Sequence, residues 1–184
     1  MAGAVHALAR RALPSSLFYS GRLLYRKARK TRLQTGYADR FPSRRDVKIH
    51  VIRPDVELHV FWKVLPIGRG PAFSLFVHDE EVLKFDCFGK GRGHFHACFE
   101  HGSSSAESRI HFFEPSAAQQ IARVEFELLH NLDYYLQRHP WRRIRATQIN
   151  PERLKTALSA ATREAHMFLR SVPELDRLDS PENA

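Results

Sequence analysis

The chain has 184 residues, 43% of them hydrophobic, with a formal net charge of +9 and a pI near 10.0. That length and apolar content fit one domain with extensions, and no apolar run approaches the ~20 residues that span a bilayer. Two cysteines without a secretory signature argue against a disulfide framework and point to a reducing, cytoplasmic setting.

The charge is unevenly placed. Residues 1–45 carry eleven Lys/Arg and one acid, Asp39, whereas residues 46–184 are nearly balanced. The high pI therefore describes a basic N-terminal arm and not the fold. The arm reads as a disordered leader, as a transit-type segment, or as a nucleic-acid-gripping extension.

The elements follow in order. Val56–Val64 alternates, with Val56, Leu58, Val60, Trp62 and Val64 on one face and Glu57, His59, Phe61 and Lys63 on the other. Ala72–Val77 and Val82–Phe88 form a hairpin around His78-Asp79-Glu80-Glu81. Lys84 and Asp86 share one face of its second strand. A glycine-rich basic turn, Gly89-Lys90-Gly91-Arg92-Gly93, leads into a return strand, Gly93–Glu100. There Phe95, Ala97 and Phe99 point inward, and His94, His96 and Cys98 point outward. Arg109–Glu114 continues toward a helix, with Ile110 and Phe112 on the core face.

Ser116 is a candidate N-cap for a helix running to about Arg138, where His139-Pro140 ends it. Trp141–Ile149 reads as an edge strand or a loop. Asn150-Pro151 opens a second helix, stopped by Pro173. Residues 173–184 form an acidic tail with the composition of a disordered segment. The expected fold is α+β over residues 46–172: a four-stranded antiparallel sheet with the long helix across one face, plus the additional C-terminal helix.

The densest chemistry lies in Phe85–His101, where Asp86, Lys90, Arg92, His94, His96, both cysteines and His101 are gathered. Three readings compete. His94, His96 and Cys98, with Asp86 nearby, offer nitrogen, sulfur and oxygen ligands to zinc, although this is not a standard zinc spacing. Alternatively, Asp86 orients His94 or His96 for proton transfer, while Lys90 and Arg92 hold phosphate, and no cofactor is needed. The third reading is an ordinary solvated sheet face with incidental histidines. Phe61, Phe76 and Phe113 among cations could stack single-stranded nucleic acid, or could cover a partner. The glycine string has neither the Walker nor the dinucleotide spacing.

Taken together, Phe61-Trp62-Lys63-Val64, Phe73-Ser74-Leu75-Phe76, Leu83-Lys84-Phe85-Asp86, Gly89-Lys90-Gly91, His94-Phe95-His96 and Glu114-Pro115-Ser116 resemble the TumE family over roughly residues 50–138. These are small bacterial toxin components of toxin–antitoxin modules. Asp86, Gly89, Lys90, His94 and His96 fall at the polar positions of that family's core, while Cys87 stands where the family commonly has Asn. The resemblance implies a toxin role and an antitoxin protein as partner, and the acid–base reading of Asp86, Lys90, His94 and His96 would suit RNA as a target. The rival expectation is a non-catalytic protein-interaction module.

Overall fold

The computed structural model describes residues 44–78, 80–97 and 109–171. The basic arm up to residue 43, Cys98, His101 and the acidic tail lie outside them.

Six strands form one antiparallel sheet in sequence order: β1 (Arg44–Arg53), β2 (Val56–Leu65), β3 (Gly68–Val77), β4 (Glu80–Asp86), β5 (His94–Ala97) and β6 (Ile110–His111). The four expected strands correspond to β2 through β5. The expectation of a four-stranded sheet is therefore corrected by one strand at each edge. β1 begins inside the basic stretch, with Arg44 and Arg45. Its alternation is scrambled because the register slips between Arg45 and Lys48, where Asp46 takes a positive φ of 53°. Edge placement also leaves Ile49 and Val51 exposed, so the strand lacks a clean apolar face. β6 has only two residues, too few to carry a period.

Four helices follow: α1 (Ala117–His130), α2 (Leu132–Gln137), α3 (Arg142–Arg145) and α4 (Pro151–Ser171). The helix laid across the sheet is α4 and not the segment after Ser116, which is a second correction. α4 packs on β1, β2 and β3 and on α1, and Phe168 meets the edge of Trp62 at 6.5 Å between ring centroids. It therefore covers the face formed by Val56, Leu58, Val60 and Trp62. Asn150 caps it as expected, accepting from the Arg153 amide at 3.1 Å. Ser116 and Gln119 form a reciprocal capping box at the start of α1.

The expected helix to Arg138 is divided at Asn131. The physical cause is Glu127, whose buried carboxylate accepts from Tyr135 Oη at 2.6 Å, Asn131 Nδ2 at 2.7 Å and Arg123 Nε at 2.8 Å. Burial pushes this carboxyl up, but the three donors together outweigh it and hold its pKa below the usual value. The knot turns the chain so that Tyr135 reaches Phe95 on β5, at 6.4 Å between centroids. The stretch after Trp141, read as strand or loop, is the short helix α3.

Removing a carboxylate that satisfies three donors leaves them unpaired. Glu127→Ala is expected to lower unfolding free energy by about 3 kcal/mol, measured by urea denaturation. A loss under about 0.5 kcal/mol, the level of an ordinary surface change, would show the knot to be incidental.

Candidate metal centre

Strand pairing assembles the polar face in rows. Phe61 of β2 lies opposite Ala72 of β3, then Asp86 of β4, His94 of β5 and His111 of β6. The next row is His59, Ser74, Lys84 and His96. Directly opposed residues share a face, so the sheet itself places Asp86, His94, His96 and Lys84 side by side. Opposite Lys63, Phe61 and His59, β3 presents Gly70, Ala72 and Ser74 on this face. These small residues leave a trough, and Lys63 of β2 crosses it to bond both oxygens of Asp86, at 2.8 and 2.7 Å. Gly70 is small for a second reason: a Cβ there would collide with the Cys87 carbonyl.

The face is buried. Asp86 is 1% exposed, His94 and His96 2% each, and Lys63 5%. Alternation with core residues suggested solvated histidines, and the structure overturns that reading. Phe61 is fully buried beneath the Arg44 guanidinium, 4.6 Å from its centroid, so it offers no open stacking surface. Phe76 is half-buried, and Phe113 is fully exposed.

One oxygen or nitrogen from each of Asp86, His94 and His96 lies within 4.8 Å of the others. His94 Nε2 is 3.4 Å from Asp86 Oδ2. Two ligands at about 2.0–2.1 Å from a tetrahedral ion are separated by roughly that distance. The other nitrogen of His94, Nδ1, is 2.9 Å from the Arg92 carbonyl oxygen. A carbonyl only accepts, so Nδ1 carries the proton, and Nε2 of the neutral ring directs a bare lone pair at the Asp86 carboxylate. Burial lowers the His94 pKa, against the opposing pull of the Arg92 carbonyl and Asp86. His96 is drawn down to about 4, first by burial, then by Lys84 and by His94. Both imidazoles are thus held neutral at physiological pH.

The glycine turn reaches this site through its main chain. Arg92 is exposed, and its carbonyl orients His94. Lys90 is half-buried, its amide bonded to the Pro115 carbonyl at 2.7 Å. The cations flanking the cluster are instead Lys63, Lys84 and Arg109. Cys98, the sulfur of the sequence-derived ligand set, is outside the described residues. Cys87 is buried in the core, and its thiol pKa is pushed well up by burial, which makes it inert.

Sequence reasoning missed Gln120 and the role of Lys63. Gln120 of α1 accepts from the Gly89 amide at 2.9 Å and donates to the Glu114 carbonyl at 2.7 Å, tying the start of the loop that delivers His94 to the segment that enters α1. Lys63 had a signal, its place on the His59 face, but its partner lay 23 residues away. Gln120 had none beyond a polar residue on an apolar helix flank. No known protein family matches the chain, and neither the curated proteins nor the solved structures contain a match. Among the described residues no helix is long and apolar enough to cross a membrane.

A Cβ at Gly93 would overlap the Gln120 side-chain amide. Gly93→Ala is expected to cost about 2 kcal/mol through the two lost hydrogen bonds, and a Gln120→Ala partner should recover part of that loss in a double-mutant cycle. Purely additive losses would show that the two do not meet.

Because the folded pKa of His96 lies below the ordinary 6.5, protonation favours the unfolded chain. Its contribution is complete above pH 6.5 and drains away as pH falls toward 4, by up to about 3 kcal/mol. The metal-free protein should lose stability over that window, and His96→Gln should flatten the slope. An unchanged slope would contradict the buried, neutral imidazole.

Proposed function

We propose that this protein is a metal-binding protein, with Asp86, His94 and His96 as ligands to one divalent ion of the zinc class. The observation that carries the reading is the His94 lone pair. A neutral imidazole nitrogen facing a carboxylate oxygen across 3.4 Å, both buried, is repulsive unless a cation lies between them. Histidine ligands commonly donate their other ring N–H to a carbonyl, as His94 does to Arg92. Nitrogen and oxygen donors suit zinc and its neighbours in the first transition row.

Three protein ligands leave an open coordination position, the arrangement of catalytic rather than structural sites. A zinc-class ion supplies Lewis acidity and lowers the pKa of bound water. The chain supplies the rest. Lys63 fixes the carboxylate of Asp86 from the far side, Arg92 sets the His94 tautomer, and Gln120 holds the loop.

A second reading, a TumE-like toxin acting on RNA by acid–base chemistry, draws on the contact between Asp86 and His94. An acid–base pair needs that same juxtaposition. In that reading Asp86 orients the ring, His94 or His96 moves the proton, Lys90 and Arg92 hold phosphate, and an antitoxin protein is the natural partner.

The full-length protein, purified without chelator and analysed by plasma mass spectrometry, is expected to carry about one equivalent of metal. His94→Gln and His96→Gln should each weaken zinc binding by about 100-fold, measured by competition with a chromophoric chelator. Both variants keep the Lys63–Asp86 pair and so should remain folded. Absence of stoichiometric binding, or wild-type affinity in His96→Gln, would end the metal reading. Growth inhibition that survives chelation but is lost in His94→Gln would favour the metal-free reading instead.

A further inference from the structure

β1 is the open edge of the sheet. Among the described residues it pairs only with β2, so one side of its backbone has no strand to bond. Proteins blunt such edges with lysines and bulges. β1 has Lys48, and its register slips on either side of the stretch Lys48–Val51. Between the slips the edge is apolar: Ile49 is 50% exposed and Val51 65%.

Four consecutive residues, Ile49 to Ile52, line a cavity of about 600 Å³ whose other wall is the first half of α4. Strand side chains alternate between faces, so a cavity that touches four in a row runs along the backbone edge. His50 lies opposite Leu58, on the side of the sheet that α4 covers. Among the described residues its buried Nε2 has no hydrogen-bond partner. Ala157 and Ala160 stand on the α4 wall, midway between Arg153 and Glu164. Arg153 is exposed and Glu164 half-buried. Eleven residues make three helical turns, so these two lie on one side of α4, about 16.5 Å apart.

These features are self-complementary. A two-fold axis perpendicular to the sheet pairs β1 antiparallel with its own copy and keeps both α4 helices on one face. Centred on Lys48, the axis would bring two lysines together. Centred on Ile49, it would set Lys48 against the partner's His50. Centred on His50, it sets Ile49 against the partner's Val51, and Val51 against the partner's Ile49. Directly opposed residues bring their Cβ atoms to about 4.5–5.5 Å, so the two His50 rings meet. Burial lowers the His50 pKa, with Glu164 raising it and Arg163 lowering it. Of two neutral rings, one donates its N–H to the bare nitrogen of the other. On the same axis the α4 helices run antiparallel, which turns Arg153 toward the partner's Glu164.

We propose that two copies of this protein pair along β1 into a symmetric dimer, with His50 on the axis and Arg153 of each copy facing Glu164 of the other. The two six-stranded sheets then form one continuous sheet. The surface is separate from the metal centre, none of whose three ligands lies on β1.

Sedimentation of the full-length protein over a concentration series is expected to show monomer and dimer in exchange. Val51→Lys places a charge in both apolar pairs and should leave only monomer, with an unchanged circular dichroism spectrum. Arg153→Glu and Glu164→Arg each set like charges against one another at two symmetric places. Each should weaken the dimer by about tenfold or more. The double variant Arg153→Glu/Glu164→Arg should return the affinity to near the wild-type value. The two positions are too far apart to touch within one chain, so only a second copy can produce that rescue. A wild type that stays monomeric at its highest soluble concentration would overturn the proposal. So would a dimer that Val51→Lys leaves intact, or a double variant as weak as the single ones. Should Val51→Lys not fold, the charge exchange alone decides.

Discussion

The buried ion pair between Lys63 and Asp86 is the constraint on which the polar face depends. It joins β2 to β4 across β3, where Gly70 and Ala72 leave room for the Lys63 stem. A larger residue at either position would part the two groups, and either charge alone would be buried without compensation, at a cost of about 3–5 kcal/mol. The pair also fixes the direction of the Asp86 carboxylate. Both oxygens receive the ammonium, so the remaining lone pairs point along the sheet toward β5. The neighbour there is His94, delivered by strand register as the directly opposed residue.

The second requirement is that His94 present the correct nitrogen. The loop between β4 and β5 meets it through main-chain atoms. Gln120 binds the Gly89 amide, the Gly93 amide bonds back to the Gly89 carbonyl at 3.1 Å, and the Arg92 carbonyl takes the Nδ1 proton. The basic side chains of this loop, conspicuous in the sequence, are not what organises the ring. The helix contributes at a distance: its capping box sets the start of α1, and one turn later Gln120 faces the loop. In this way a hydrogen bond from the loop to α1 helps to set a tautomer at the site.

Much of this was legible in the sequence, and the parts that were not have physical reasons. Alternation placed Asp86 on one face and His94 with His96 on one face, because a period of two survives wherever strands pair without bulges. Ser116 and Asn150 were readable as caps because their side chains act locally. β1 was not, since the bulge at Asp46 shifts its period and its edge position exposes Ile49 and Val51. The break at Asn131 was hidden because apolar residues continue at helical spacing across it, and only the buried Glu127 diverts the chain. Which helix covers the sheet could not be read from two stripes of comparable amphipathicity. Burial of the polar face was misread for a general reason. Alternation reports which residues share a face, and says nothing about whether water reaches it.

Internal compensation on that face stops at one place. Glu57 serves His59 at 3.0 Å, Glu81 serves Arg44, and Asp86 serves Lys63. These pairings satisfy the demand that buried charge be matched, and they need nothing from outside. The next residues along the same rows break the pattern. His94 aims a lone pair at a carboxylate, and His96 is held neutral well below its ordinary pKa by burial, Lys84 and His94. A sequence selected for stability alone would replace such groups by apolar residues of similar volume at little cost. One register brings Asp86, His94 and His96 together as a buried cluster able to coordinate a metal ion.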